Sequence, residues 1–227
     1  MCSKIFSLLL LSGGILIQAC KQSGYIPPEN ALFTKLTPAE CGIDFRNDIT
    51  DDSVFNVTTY RNFYNGGGVA IGDINNDGLA DVFMTANQGK NKLFLNKGNF
   101  KFKDITDKAG IIKDQKWSTG VTMADVNGDG LLDIYVSAAG SIAGDTRENA
   151  LYINRGNLYF EEEADKYNLA DSGGYHTQAS FFDYDSDGDL DVFLLNNDCS
   201  VRTDAFPNAA MRNFRKKTGD KLLRNDN

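Results

Sequence analysis

The residues best suited to chemistry form one acidic loop, Asp183-Tyr184-Asp185-Ser186-Asp187-Gly188-Asp189-Leu190-Asp191. Carboxylates stand at positions 1, 3, 5 and 9 of this loop, and glycine at position 6 lets the chain reverse sharply. Side chains at positions 1, 3 and 5 of a tight turn converge, the carbonyl of residue 7 adds an oxygen, and an aspartate at position 9 closes the shell. Calcium prefers roughly six to eight oxygen ligands in flexible geometry, whereas magnesium requires a tighter octahedron. We therefore interpret the loop as a calcium site.

Two further copies of this loop occupy residues 73–81 and 125–133. The predicted ligands are Asp73, Asn75, Asp77, Leu79 and Asp81; Asp125, Asn127, Asp129, Leu131 and Asp133; and Asp183, Asp185, Asp187, Asp189 and Asp191. An EF-hand is excluded, because position 12 holds Met84, Val136 and Leu194 instead of the required glutamate. We predict about three structural calcium ions. The third site should bind most tightly, because the first two have asparagine at position 3. The alternative is a set of solvated Asp-Gly turns.

The acidity of the chain is concentrated in these loops. The formal charge of the 227 residues is −8, and without the ten loop carboxylates at positions 1, 3, 5 and 9 it would be +2. A local excess of acid favours cation binding over a general solubilising charge. The absence of a basic face argues against nucleic acid as a partner.

Short strands must position the loops. An alternating apolar run precedes each loop and a second run follows it, which is typical of two strands joined by the loop. A third strand recurs at Lys92–Asn96, Ala150–Asn154 and Lys221–Asn225, and a fourth begins at Phe102 and Phe160. The sequence thus predicts an all-β fold of four-stranded antiparallel units over residues 33–227, with each loop between the first and second strands.

The spacing separates a fixed scaffold from variable connections. Asn96 to Asp125 and Asn154 to Asp183 are both 29 residues, whereas the connection from the second to the third strand lengthens from unit to unit. Variable loops on a fixed scaffold are where binding usually occurs. A fourth-type segment also comes first, from Phe33 to Ile43, as a circularly closed array requires. The same spacing puts a fourth acidic loop at about residue 254, beyond the last residue, so we expect the array to be cut off.

The two runs Gly68–Asp81 and Val121–Asp133 resemble FG-GAP/VCBS repeats, the integrin-α type of propeller blade. Residues 33–227 resemble the N-terminal part of bacterial VCBS-repeat surface lipoproteins of the ASPIC/UnbV (cartilage acidic protein-like) group. This resemblance implies a β-propeller of seven blades with calcium in the blades, of which about three are present. The ASPIC/UnbV region itself is absent from this sequence.

The N-terminus has the pattern of an export signal. Lys4 is the only charge before residue 21, and the apolar run Ile5–Ile17 is too short to span a bilayer. The run ends Leu16-Ile17-Gln18-Ala19-Cys20, which resembles a lipobox. We predict a signal peptide over residues 1–19, lipidation of Cys20 and a tether over residues 20–32. The alternative is ordinary cleavage nearby, with Cys20 incidental.

Other residues allow two interpretations each. Cys41 and Cys199 form a single disulfide or remain two free thiols. His176, the only histidine, is a catalytic residue or a packing residue at the start of a strand. Trp117 and Tyr175 form an aromatic sugar platform or pack between blades. A basic set in the last insertion binds an anionic partner or is simply solvated. Its members are Arg202, Arg212, Arg215, Lys216 and Lys217.

These patterns favour a calcium-stabilised propeller module that binds a protein or a glycan, or serves as an assembly scaffold, on the bacterial outer membrane. Its only attachment to the membrane would be the lipid on Cys20. We predict neither catalytic nor cofactor-binding residues, because no nucleophile or base recurs with the loops. The alternatives are a propeller hydrolase or lyase acting on polysaccharide, and an accessory component of an outer-membrane nutrient-uptake complex.

Overall fold

The computed structural model describes residues 30–111, 117–140, 147–197 and 219–226. Residues 1–35 form a separate unit, in which residues 30–35 adopt neither helix nor strand. Residues 36–227 form the second unit, which contains every described strand. The signal, Cys20, Cys199 and the basic set of the last insertion lie outside the described residues, so those predictions remain predictions.

Three antiparallel sheets follow one another along the second unit, and the all-β prediction is confirmed. The first sheet contains β1 (Val69–Gly72), β2 (Asp81–Met84), β3 (Lys92–Asn96) and β4 (Phe102–Asp104). The second contains β5 (Trp117–Ala124), β6 (Asp133–Ala139), β7 (Ala150–Asn154) and β8 (Phe160–Glu162). The third contains β9 (His176–Phe182), β10 (Asp191–Asn196) and β11 (Lys221–Leu223). The strand order within each sheet follows the chain, as in propeller blades, and we call the sheets blades 1, 2 and 3.

Both faces of the central blade are buried, which explains its almost continuous apolar strands. On β6, Ile134 and Val136 pack into the core shared with blade 1. Tyr135, between them, packs into the core shared with blade 3. The alternation of side chains along a strand therefore supplies two separate inter-blade cores. Each large apolar side chain buried there contributes about 2 kcal/mol.

The inner strands of the three blades lie side by side and run in the same direction. The hydroxyls of Thr119 and Thr122 on β5 donate to the carbonyls of His176 and Ala179 on β9, both at 2.6 Å. On the other side, β5 lies against β1. The three acidic loops follow these strands, so they share one end of the arc. The second strands end, and the third strands begin, at the opposite end.

The segment from Phe33 to Ile43, which matches the fourth strand of the repeat in sequence, forms a turn instead of the predicted strand. The chain begins the short helix α1 (Pro38–Cys41), which ends at Gly42 with φ +82°. Gly42 lies so close to the carbonyl of Phe102 on β4 that a Cβ would not fit between them. Gly110 approaches the carbonyl of Phe160 on β8 in the same way. The repeat assignment was therefore right for this turn. Residues 33–36 have no neighbouring strand to pair with in the described structure, and an unpaired strand is not stable in water.

Candidate metal loops

The aspartate at position 1 organises each acidic loop by accepting backbone N–H groups. Asp73 accepts from Asp77 at 3.1 Å and from Gly78 at 2.7 Å. Loop 2 repeats both contacts, from Asp129 and Gly130 to Asp125, at 3.0 and 2.8 Å. In loop 3, Asp183 accepts from Ser186 and Gly188 at 2.7 and 3.2 Å. The glycine at position 6 has φ between +82° and +101° in all three loops, a conformation that disfavours other residues.

The aspartate at position 9 fastens the loop to the third strand. Asp81, Asp133 and Asp191 are at most 1% exposed. One carboxylate oxygen of each accepts the N–H of loop position 2, from Ile74, Val126 and Tyr184 at 3.1, 3.0 and 2.8 Å. The other oxygen accepts the N–H of an asparagine, from Asn96, Asn154 and Asn225 at 2.7, 2.8 and 2.8 Å. The first two end β3 and β7, whereas β11 ends at Leu223, two residues short of the predicted end at Asn225. Any contact of this carboxylate with a cation must use its remaining lone pairs.

Burial places these carboxylates in an unfavourable environment for negative charge. Burial raises the pKa of Asp133 to about 6, against the opposing effect of its two N–H donors. The same cause raises the pKa of Asp81. In loop 3, partial desolvation of the exposed Asp185, followed by the negative charges of Asp187 and Asp191, raises the pKa of Asp185. A bound cation would relieve each of these costs, because an opposite charge favours the ionised carboxylate.

Loop 3 brings three exposed carboxylates together. Ligand atoms of Asp183, Asp185 and Asp187 lie within 4.8 Å of one another, and no other such acidic, histidine or cysteine group occurs in the part of the chain that the structure describes. These hard oxygen donors fit calcium. In loops 1 and 2 the amide of Asn75 or Asn127 instead donates to the position-5 carboxylate, at 3.1 and 3.0 Å. Those amides must turn their oxygens inward to serve as ligands. The carbonyls of Leu79 and Leu131 and the carboxylate of Asp189 stay predicted ligands.

The third-strand asparagines are functional residues that sequence reasoning missed. They marked the repeat spacing, but the structure shows that they hold the loops. The side-chain oxygens of Asn96 and Asn154 accept the N–H groups of Gly98 and Gly156, at 2.9 and 3.0 Å. Their amide groups donate to Ala80 and Leu132 at 2.8 and 3.1 Å. Their recurrence just before a Lys/Arg-Gly-Asn turn was the available signal.

His176 starts β9, is completely buried, and its ring Nε2 lies 2.9 Å from a carboxylate oxygen of Asp171. Lys221 on β11 donates to the same carboxylate at 2.5 and 2.6 Å. The hydrogen bond from His176, and then that from Lys221, lower the pKa of Asp171 to about 2. These contacts fix the buried ring of His176 at the junction of blades 2 and 3.

Trp117 and Tyr175 belong to a buried aromatic cluster at the opposite end from the loops. They are 5% and 7% exposed, and they pack with Tyr60, Phe63 and Phe55. The rings of Trp117 and Phe55 meet edge to face at 4.9 Å. Both rings pack within this cluster and do not form an exposed platform, and Trp117 also lines a neighbouring cleft. A cleft of about 240 Å³ opens beside the cluster, lined by Asn65, Thr119 and Gln178 among others.

Residues 73–136 match the FG-GAP-like repeat family. The match runs from the first residue of loop 1 to β6, so one sequence repeat joins three strands of blade 1 to the first strands of blade 2. The chain therefore contains an FG-GAP-like repeat, and its sheets are blades of the β-propeller type.

The chain is similar to cartilage acidic protein 1 of three vertebrates. It is 31% identical to the Mus musculus protein over 158 residues, which cover 70% of this chain and 23% of that protein. For Homo sapiens the identity is 30% over 162 residues, with the same coverage. For Xenopus tropicalis it is 34% over 136 residues, or 60% of this chain and 20% of that protein. The resemblance seen in the sequence is confirmed, and the chain spans less than a quarter of these relatives.

Proposed function

We propose that this chain is a calcium-binding propeller module that serves as a binding or assembly scaffold. The observation that carries the proposal is the repetition of one loop architecture three times, with the same two backbone hydrogen bonds to the aspartate at position 9 and with the N–H of the position-6 glycine donating to the aspartate at position 1. FG-GAP repeats generally occur in binding or adhesion proteins, which supports the scaffold role. Calcium in this account is structural: it fastens the first strand of each blade to the second and third.

The two ends of the arc have different roles in this proposal. The acidic loops occupy one end and stabilise the blades. The opposite end carries the connections of variable length and the cleft beside Trp117, whose lining offers amide and hydroxyl groups. Neutral hydrogen-bonding groups suit a glycan or a polar protein surface. We therefore place the ligand at the end away from calcium.

Calorimetric titration of the metal-free chain tests the calcium part of the proposal. We expect calcium to bind and magnesium to bind much more weakly, because magnesium demands tighter geometry. The triple change Asp183→Asn, Asp185→Asn and Asp187→Asn should remove one site and leave two. As a control, the change of one surface acid outside the loops, Asp48→Asn, should leave all three sites intact. Absence of calcium binding to the unaltered chain would refute the proposal.

The scaffold role requires a ligand, and an array of glycans and extracellular matrix proteins tests it. We expect binding that survives in the triple loop-3 variant at saturating calcium but is lost when Asn65 and Gln178 are replaced by alanine. Binding lost in the loop-3 variant and retained in the second variant would place the ligand at the wrong end.

We also propose that Cys20 carries a lipid that holds the mature protein at the bacterial outer membrane. The sequence Ile17-Gln18-Ala19-Cys20 after an apolar run supports this anchor. Among the described residues, no helix has the length and hydropathy of a membrane span. Metabolic labelling with a fatty acid should label the native chain and not Cys20→Ser. Equal labelling of both would refute the anchor.

A further inference from the structure

Two hydrogen bonds cross from blade 1 to blade 2 at the acidic loops. The side-chain amide of Asn154, at the end of β7, donates to the carbonyl of Ile74 in loop 1 at 2.8 Å. The side-chain amide of Asn76, at position 4 of loop 1, donates to the carbonyl of Gly130 in loop 2 at 3.1 Å. Loops 1 and 2 are thus in direct contact through specific polar groups.

Asn154 connects the buried carboxylates of the two loops. Its N–H donates to Asp133, position 9 of loop 2, at 2.8 Å. Its side chain holds the carbonyl of Ile74, whose own N–H donates to Asp81, position 9 of loop 1, at 3.1 Å. All four residues are at most 2% exposed. Because water has little access to them, a broken bond here leaves a buried polar group unpaired, which costs more than it would at the surface.

We infer that Asn154 is a positioning residue that couples the cation sites of loops 1 and 2, so that filling one site makes the other bind more tightly. The inference rests on the proposed function, since it concerns the same cations. Filling loop 2 fixes Asp133, and with it the backbone and side chain of Asn154. The side chain then holds Ile74, and so the N–H that orients Asp81, in place before loop 1 is filled. Because the first cation has already fixed Asn154 and Ile74, binding of the second cation does not carry the entropic cost of ordering them again.

Asn96 provides an internal control for this inference. It makes the same contacts within blade 1 that Asn154 makes within blade 2, to the position-9 aspartate, to the preceding loop carbonyl and to the following glycine. Among the hydrogen bonds recorded for the described chain, its amide makes none to another blade. The difference between Asn154→Ala and Asn96→Ala therefore isolates the bond across the blade boundary.

Asn76 provides a second variant that keeps the fold intact. Its φ of +57° suits glycine, and the equivalent position of loop 2 is Gly128 with φ +72°. Asn76→Gly therefore removes the contact to Gly130 without straining the backbone.

Calcium titration of the full chain tests the inference, in a background where Asp183→Asn, Asp185→Asn and Asp187→Asn silence loop 3. We expect two sites coupled by about five- to tenfold in affinity, which is the lower range for coupled sites. Asn154→Ala should remove most of the coupling, Asn76→Gly should remove a smaller part, and Asn96→Ala should preserve it.

Two independent sites in the background chain would overturn the inference while leaving calcium binding itself intact. Equal loss of coupling in Asn154→Ala and Asn96→Ala would also overturn it. A chain that binds no calcium in any loop would instead refute the proposed function, and the coupling with it.

Discussion

At the scale of single residues, Asp171 shows how one carboxylate can fasten the connection between blades 2 and 3 to two strands of blade 3. It lies between β8 and β9 and accepts from His176 and Lys221, which belong to β9 and β11. These donors lower its pKa to about 2. A folded pKa below the unfolded value means that the ionised carboxylate stabilises the fold. That stability is complete above about pH 4 and is lost as the pH falls through about 2.

Asp171→Asn should therefore destabilise the chain in a pH-dependent way. We expect a loss of about 2 kcal/mol at pH 7, of which about half remains at pH 3. Denaturant titration at the two pH values measures this difference. Asp48→Asn removes a carboxylate of an exposed pair with Arg46, and its effect should be small at both. An Asp171→Asn penalty equally large at pH 7 and pH 3 would contradict the role given to the charge.

Arg224 is a second residue with a testable effect. The equivalent residues of blades 1 and 2 are Leu95 and Ile153, both buried. The Arg224 guanidinium lies 4.0 Å from Asp185, the extra carboxylate of loop 3. Because the guanidinium also pairs with Asp226 at 2.7 Å, it offsets only part of the additional negative charge of that loop.

Arg224→Leu should tighten calcium binding at loop 3 about fivefold, because a nearby positive charge repels a divalent cation. Arg46→Leu changes the net charge equally, and Arg46 pairs with Asp48 as Arg224 pairs with Asp226, both acids outside the loops. Calorimetry on both variants measures the effect. Equal affinity changes in the two variants would show that only overall charge matters.

At the scale of elements, a glycine with positive φ recurs in the turn that follows the fourth strand, at the point where this turn packs against the next blade. A Cβ on Gly110 would lie 2.6 Å from the carbonyl of Phe160, whereas a Cβ on Gly98 would have nothing within 4 Å. Both glycines have positive φ, +77° and +80°. Replacement of either glycine by alanine therefore carries the same backbone strain, but only at Gly110 would the new Cβ clash with a neighbouring atom.

Gly110→Ala should destabilise the chain by about 3 kcal/mol, and Gly98→Ala by about 1 kcal/mol. The excess measures the close approach of blade 1 to blade 2. Thermal and denaturant unfolding of the two variants gives both values. Equal penalties would mean that this contact does not restrain the blades.

Local sequence patterns predicted the strands and loops, but they could not predict contacts between residues that are far apart in the chain. The third strands Lys92–Asn96 and Ala150–Asn154 have the predicted bounds, since alternation and the following turn are local signals. The contact of Asp171 with Lys221 was not predictable, because the two residues are 50 apart in sequence and only the fold brings them together. The contact of Asn154 with Ile74 spans 80 residues and was equally hidden.

At the scale of the whole molecule, packing between neighbouring blades supplies most of the hydrophobic core. The two inter-blade cores contain most of the buried side chains, and the acidic loops are joined across one blade boundary. The faces of blades 1 and 3 away from blade 2 retain exposed apolar residues, among them Ile71 and Leu195 at 66% and 45% exposure. Stability in such an array is the sum of blades and their interfaces. Cations that order the loops should therefore stabilise the entire unit.

The most direct test of this account is the unfolding midpoint of the chain with chelator and with increasing calcium. Each site filled at about one hundred times its dissociation constant adds about 2.7 kcal/mol, so the three loops together should raise the midpoint by about 10 °C or more. Magnesium at equal concentration should have a much smaller effect. A midpoint that is the same in chelator and in saturating calcium would contradict the central claim that the loops are metal-held fasteners.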